Sequence, residues 1–240
     1  MVEVEVARAR LESARRPAAL TGAGLSADSG LATFRGAEGL WRRWRPEELA
    51  TASAFRRDPI LVWEWYEARR AHAAGAEPNA GHRALARLES ARPEFALITQ
   101  NVDGLHARAG SSRALELHGS LWRSRCADCG RRRARPLEPR VPLPPLCAEC
   151  GGLERPDVVW FGESLETAVA AEAFRAAEAC DVLLVVGASG AVEPAASIAR
   201  AAKRGGALLI EVNAEATALT ALADVVLRGR AAEILDRLAP

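Results

Sequence analysis

The sequence predicts an α/β fold, a Rossmann-like open parallel sheet carrying a smaller second lobe. Two observations lead to it. Short apolar runs without polar alternation recur at 18–20, 95–99, 114–117, 182–186, 208–212 and 225–227, the pattern of strands covered on both faces. Stretches of helical spacing lie between them: 79–91, with Leu85 and Leu88 three apart, then 165–179 and 195–204. Strands alternating with helices specify parallel pairing through right-handed crossovers.

Composition narrows the class. The 240 residues are 49% hydrophobic and 26% charged, with a formal net charge of +1. A sizeable core can form, and a general nucleic-acid or membrane-surface binder is not expected without a basic excess. Lys203 is the only lysine. The first 20 residues mix acidic, basic and apolar side chains and do not read as a secretion signal. No run approaches the length of a membrane span, so a cytoplasmic protein is expected.

Two regions leave the alternation. Residues 33–78 hold Trp41, Trp44, Trp63 and Trp65 and read as a loop followed by a helical pair. Residues 121–157 hold four of the five cysteines and a proline-rich span. The expected organisation is one catalytic unit over 1–240. Its large lobe comprises 1–32, 79–120 and 158–240; its small lobe comprises 33–78 (the helical insertion) and 121–157. A cleft between lobes is a common ligand site.

Cys126-Ala127-Asp128-Cys129 and Cys147-Ala148-Glu149-Cys150 are two C-x-x-C knuckles separated by 17 residues, a spacing suited to Zn²⁺. Each is followed by a glycine, Gly130 or Gly151, able to take the positive φ of the turn. Four thiolates leave no open coordination position, so the zinc-binding lobe would be structural. A redox pair and a nucleic-acid-reading ribbon, the latter suggested by Arg131–Arg133, are the alternatives. Cys180 reads as a core residue.

The segment Thr21-Gly22-Ala23-Gly24-Leu25-Ser26-Ala27 follows an apolar strand. Its glycines would let the backbone approach a diphosphate and aim N–H groups at it; a purely structural turn is the competing reading. Ser29 to Gly36, with Thr33, Phe34 and Arg35, reads as a loop able to close over a nucleotide. Gln100-Asn101-Val102-Asp103, Gly187-Ala188-Ser189 and Asn213-Ala214-Glu215 each follow a strand. Polar or small clusters at carboxyl strand ends are where such sheets bind ligands. His118 ends the run 115–117, where a histidine can serve as general base; His72, His82 and His106 read as loop or core residues.

These motifs, taken with Thr99 to His106, Leu117-His118-Gly119-Ser120, the two knuckles and Val159-Trp160-Phe161-Gly162-Glu163, resemble the sirtuins, NAD-dependent protein-lysine deacylases, from about residue 20 onward. The resemblance implies NAD bound between the lobes and one structural Zn²⁺ on Cys126, Cys129, Cys147 and Cys150. It implies that the acyl-lysine oxygen attacks the ribose carbon carrying nicotinamide. His118 then acts as base on a ribose hydroxyl, and the acyl group passes to ADP-ribose. Asn101, the second catalytic residue, and Asp103 would sit by nicotinamide and ribose. Gly22, Ala23, Gly24, Ser26, Thr33 and Gln100 would contact the cofactor, with Phe34 shielding the sugar from water and Arg35 lining the same loop. Gly187, Ala188, Ser189, Asn213, Ala214, Glu215 and Ala231 would face the adenosine half. Val159, Phe161 and Gly162 resemble the strand that pairs with an acylated peptide. Ala32 and Ala188 depart from a common proline and threonine.

Tyr66 and Arg69 lie three apart, on one face if their segment is helical. A phenol beside a guanidinium can receive a carboxylate; an ordinary surface arginine beside a core tyrosine is the plain alternative. The pair resembles the Tyr-x-x-Arg of class III sirtuins, which remove succinyl, malonyl and glutaryl groups, and Ala50 matches a small residue that widens that pocket. Deacetylation is expected alongside. An ADP-ribosyltransferase or a non-catalytic NAD-binding module are the rival functions.

Overall fold

The protein was analysed as a computed structural model that describes residues 2–33, 45–136 and 142–239. With strands numbered along the chain, β1 (Pro17–Thr21), β2 (Ala96–Thr99), β3 (Leu115–Glu116), β7 (Val182–Val186), β8 (Leu208–Asn213) and β9 (Val225–Arg228) form one sheet. Its order is β3-β2-β1-β7-β8-β9, and every pairing is parallel. The chain builds outward from β1 to β3, returns to the far side of β1, and builds outward again. This is the dinucleotide-binding order, with its reversal between β1 and β7.

Both faces are covered, which explains the unbroken apolar runs. On one face α1 (Val2–Ser13), α6 (Ala80–Ala91) and α10 (Ala231–Leu238) pack Leu11, Leu85 and Leu235 onto Ala19, Leu97, Leu184 and Ile210. On the other, α8 (Thr167–Ala179) and α9 (Ala195–Arg204) pack Ala173, Ala177, Ile198 and Ala202 onto Leu20, Ile98, Leu183 and Leu209. Asn79 caps α6, its side-chain oxygen accepting from the Gly81 and His82 amides at 3.0 and 3.3 Å. Lys203, near the end of α9, pairs with Asp224 at 2.5 Å.

The cysteine region forms a second sheet. Strand β4 (Gly119–Cys126) lies antiparallel between β5 (Arg132–Ala134) and β6 (Glu154–Val158). Gly130 and Gly151 take the expected positive φ, +72° and +73°, and their amides close the knuckles onto the Cys126 and Cys147 carbonyls. The arginine run is met by acids: Arg131 by Glu149, Arg132 by Asp157 and Glu166, and Arg133 by Glu154.

The expected helical pair is three helices, α3 (Pro46–Leu49), α4 (Ala52–Arg57) and α5 (Pro59–Gly75). Helix α5 is tied to the second sheet by buried donors. Trp63 Nε1 donates to the Glu154 carbonyl at 2.8 Å. The Arg70 guanidinium donates to the carbonyls of Leu121, Arg135 and Pro136. Among the described residues, no helix is long and apolar enough to cross a membrane.

Candidate active site

Parallel register brings the carboxyl ends of the central strands level, with Thr21 opposite both Thr99 and Val186. They open onto a cleft of ≈ 560 Å³, within the usual size of ligand sites. Gly22, Ala23, Gly24 and Thr33 line one side of it, and Gln100, Asn101 and His118 another. Gly187, Ala188 and Ser189 follow β7, while Asn213, Ala214 and Glu215 come from the end of β8; all six line the cleft, with Ala231 at the start of α10. Ala50, Tyr66, Arg69, Val159, Phe161 and Gly162 complete it beneath the helical insertion. Phe34 and Arg35 lie outside the described residues.

Ser26 and Asp103 do not line this cleft. They form a buried layer behind Asn101, and Asp103 borders a smaller cavity of ≈ 210 Å³. Ser26 Oγ donates to Asp103 Oδ2 at 2.8 Å. The Asn101 amide nitrogen donates to the Gly22 carbonyl at 3.1 Å and to Ser26 Oγ at 3.2 Å. The Leu105 amide donates to Asp103 Oδ1 at 2.9 Å. Burial pushes the Asp103 carboxyl above its ordinary range, against the pull of these two donors. Thr21 Oγ1 donates to Thr99 Oγ1 and lies 2.9 Å from His106 Nε2. Burial lowers His82 to about 3 and His106 to about 4, so both imidazoles are neutral at pH 7.

The glycine-rich opening differs from expectation. Helix α2 (Ala23–Ala27) begins inside the motif. The Gly22 and Gly24 amides donate to the Val186 and Gly187 carbonyls, each at 2.9 Å, so neither is available to a phosphate. Their glycine identity has another cause. A Cβ on Gly24 would stand 2.7 Å from Gly187 Cα, and one on Gly22 2.8 Å from Ala188 Cα. The two loops meet backbone to backbone at the point where strand order reverses.

His118 is part-buried beside that point. Its Nδ1 lies 3.0 Å from the Gln100 carbonyl. A carbonyl only accepts, so Nδ1 carries the proton and Nε2 keeps its lone pair. Burial lowers the imidazole below its ordinary value, partly opposed by this hydrogen bond.

In the same cleft, Tyr66 is buried and Arg69 half-buried on α5. The Arg69 guanidinium carbon stands 4.7 Å from the Trp65 ring centre and 5.6 Å from that of Tyr66. Burial raises the phenol and lowers the guanidinium from their ordinary values. Arginine remains charged all the same. Val159, Phe161 and Gly162 follow the end of β6 rather than lying within it. Phe161 bridges to Thr51, its amide donating to the Ala50 carbonyl at 2.9 Å.

The four knuckle sulfurs lie within 4.8 Å of one another, with Cys126–Cys150 at 3.5 Å and Cys129–Cys147 at 3.7 Å. Four thiolates around zinc at about 2.3 Å lie about 3.8 Å apart. The cluster fits that ion, and these cysteines hold a structural Zn²⁺.

A model of the Sir2 family matches residues 22–194. The chain belongs to the Sir2 family. A curated relative, NAD-dependent protein deacylase 2 of Pyrobaculum aerophilum, is 54% identical over 95% of this chain and 91% of its own. A solved Sir2 homologue in complex with NAD is 47% identical with a TM-score of 0.92, covering 98% of this chain and 92% of that one. A more distant Sir2 structure, bound to a myristoylated histone peptide, is 34% identical with a TM-score of 0.78, over 99% and 95%.

In this Sir2-family cleft the sequence reading overlooked Trp65, Val102, Trp160 and Arg230, all of which line it. Val102 is the lone apolar residue of a polar cluster, and Trp160 stands in the apolar run 158–161 and reads as core. Trp160 carried the one available signal, a polar N–H inside an apolar run, which when buried needs a partner.

Proposed function

We propose that this enzyme, an NAD-dependent protein-lysine deacylase, removes acidic acyl groups (succinyl, malonyl and glutaryl) from lysine side chains and acetyl groups less efficiently. The observation that carries this reading is the pairing of Tyr66 and Arg69 on one turn of α5, beside the small Ala50, in the same cleft as His118. A carboxylate terminus would accept from both donors. An acetyl group offers neither of them an acceptor.

Bound NAD supplies a ribose whose nicotinamide can be displaced and whose hydroxyl can take the acyl group. The protein's part follows from its geometry. His118 Nε2 accepts the proton of that hydroxyl while the Gln100 carbonyl holds Nδ1. Both donors of the Asn101 amide are engaged by Gly22 and Ser26, leaving Oδ1 to accept from the ligand. The zinc braces the small sheet and takes no part in the reaction. Free cysteines in a zinc-fitting cluster also support a reducing cytoplasm as the place of action.

The test is an NAD-dependent assay of one peptide carrying acetyl-, succinyl- or myristoyl-lysine. A charge-assisted hydrogen bond contributes about 1.5–3 kcal/mol, or roughly tenfold and upward. Succinyl should therefore lead in kcat/KM, and Arg69→Met should lower the succinyl-to-acetyl ratio by at least about tenfold. An unchanged ratio refutes the acidic-acyl preference. Faster turnover of the myristoyl peptide than the succinyl one does so too.

A further inference from the structure

The carboxylate receptor has a third member that the Tyr-x-x-Arg pair does not include. Trp160 is 3% exposed, and its indole Nε1 donates to the Tyr66 hydroxyl oxygen at 2.9 Å. Its ring is held on several sides. The Arg155 guanidinium carbon stacks 3.3 Å from the ring centre, and Phe55 packs at 5.4 Å between centroids. Glu163 accepts from the Trp160 amide at 2.9 Å and from Arg155 at 3.0 Å, so one carboxylate fixes both the backbone and the stacked cation. The indole has little freedom to turn away from Tyr66.

An indole N–H donates and cannot accept. In this contact the phenol oxygen must therefore be the acceptor, and the phenol's own proton is directed elsewhere. Among the described residues, Trp160 is the only hydrogen-bond partner of the Tyr66 hydroxyl. Tyr66 lines the cleft, so the cleft is where that proton finds an acceptor. Resting on the acidic-acyl reading above, we infer that Trp160 is a specificity-determining positioning residue, whose N–H locks Tyr66 as a donor toward the acyl group and so favours acyl chains ending in a carboxylate.

The consequence is selective in both directions. A carboxylate only accepts, and it meets donors from Tyr66 and Arg69 together. An acetyl methyl leaves the phenol proton without an acceptor in a desolvated place, which is costly. A hydroxyl that already accepts a hydrogen bond is also polarised into a stronger donor. Burial raises the Tyr66 pKa, so the phenol keeps its proton at neutral pH.

The test is a four-enzyme cycle of the unmodified protein, Trp160→Phe, Tyr66→Phe and the double variant, assayed with NAD on succinyl- and acetyl-lysine forms of one peptide. The readout is the succinyl-to-acetyl ratio of kcat/KM, which does not change with the fraction of misfolded enzyme. Trp160→Phe keeps an aromatic ring and removes the N–H. It should lower the ratio by about 3- to 10-fold, the worth of one neutral hydrogen bond, chiefly by raising KM for the succinyl peptide. In the Tyr66→Phe background the same substitution should leave the ratio unchanged, because its route is gone. An unchanged ratio in Trp160→Phe, or an equal fall in both backgrounds, overturns the inference. Arg69→Met, run in parallel, separates the two readings. If it lowers the ratio and Trp160→Phe does not, Trp160 alone loses its role; if neither does, the acidic-acyl reading falls with it.

Discussion

His118 shows how a single contact assigns chemistry to a side chain. The Gln100 carbonyl determines which ring nitrogen carries the proton, and burial determines over what pH the other stays free. Burial disfavours the imidazolium, so the base form persists below the ordinary histidine value of 6.5. The acid limb of the kcat/KM profile should accordingly lie below pH 6.5, and His118→Tyr should abolish turnover of acetyl and succinyl peptides alike. A limb above that value, or residual turnover in the variant, contradicts the assignment. His118 was legible in the sequence because a histidine at a strand end in an α/β chain stands at the ligand edge. Gly22 and Gly24 were legible as special residues but not for their actual reason. Sequence spacing cannot show that Gly187, far along the chain, presses against Gly24. Ser26 and Asp103 were placed in the right neighbourhood and one layer too far forward, since depth behind a wall leaves no mark on the sequence.

Among elements, α5 joins the cleft to the small sheet. It presents Tyr66 and Arg69 to the cleft while Trp63 and Arg70 bind it to the backbone of the small sheet. The knuckles hold that sheet together, so zinc supports the proposed acyl pocket through two steps of contact. Removal of zinc by a strong chelator should unfold the small sheet, as expected when metal-binding energy is folding energy, and activity should fall with it. Circular dichroism, zinc release and deacylation followed together check this; full activity in zinc-free enzyme would remove the bracing role. The main strands were readable because cover on both faces leaves them continuously apolar. Helix α1 was not anticipated. Its opening Val-Glu-Val-Glu-Val alternates with a period of two, whereas the residues it buries, Val4, Ala7 and Leu11, follow helical spacing. The insertion's third helix was missed because α3 and α4 are four and six residues long, too short for periodicity to register.

For the whole molecule, the order of strands was beyond the sequence. Local patterns name the strands, but only crossovers and packing decide that β7 lies beside β1, and that adjacency creates the cleft. The same packing stores an acid sensitivity. His82 and His106 have folded-state values near 3 and 4, against 6.5 for an ordinary histidine. The unfolded chain therefore binds protons first as pH falls. The stability these neutral imidazoles contribute is complete above about pH 6.5 and is lost downward toward about pH 4 and 3, with a slope of about 1.4 kcal/mol per pH unit for each. Urea midpoints measured from pH 7.5 to 4.5 should drop steadily, and His106→Gln should flatten the slope. A midpoint that does not change over that range argues against the two neutral imidazoles.

One surface feature sets this enzyme apart from the proteins it acts on. Its arginine-rich exterior carries charge without offering amines, and its one lysine, Lys203, is held against Asp224. Reactive acyl donors modify lysine amines, and this chain presents them with that single side chain. The catalyst thus carries a single side chain of the kind that acylated proteins present to it.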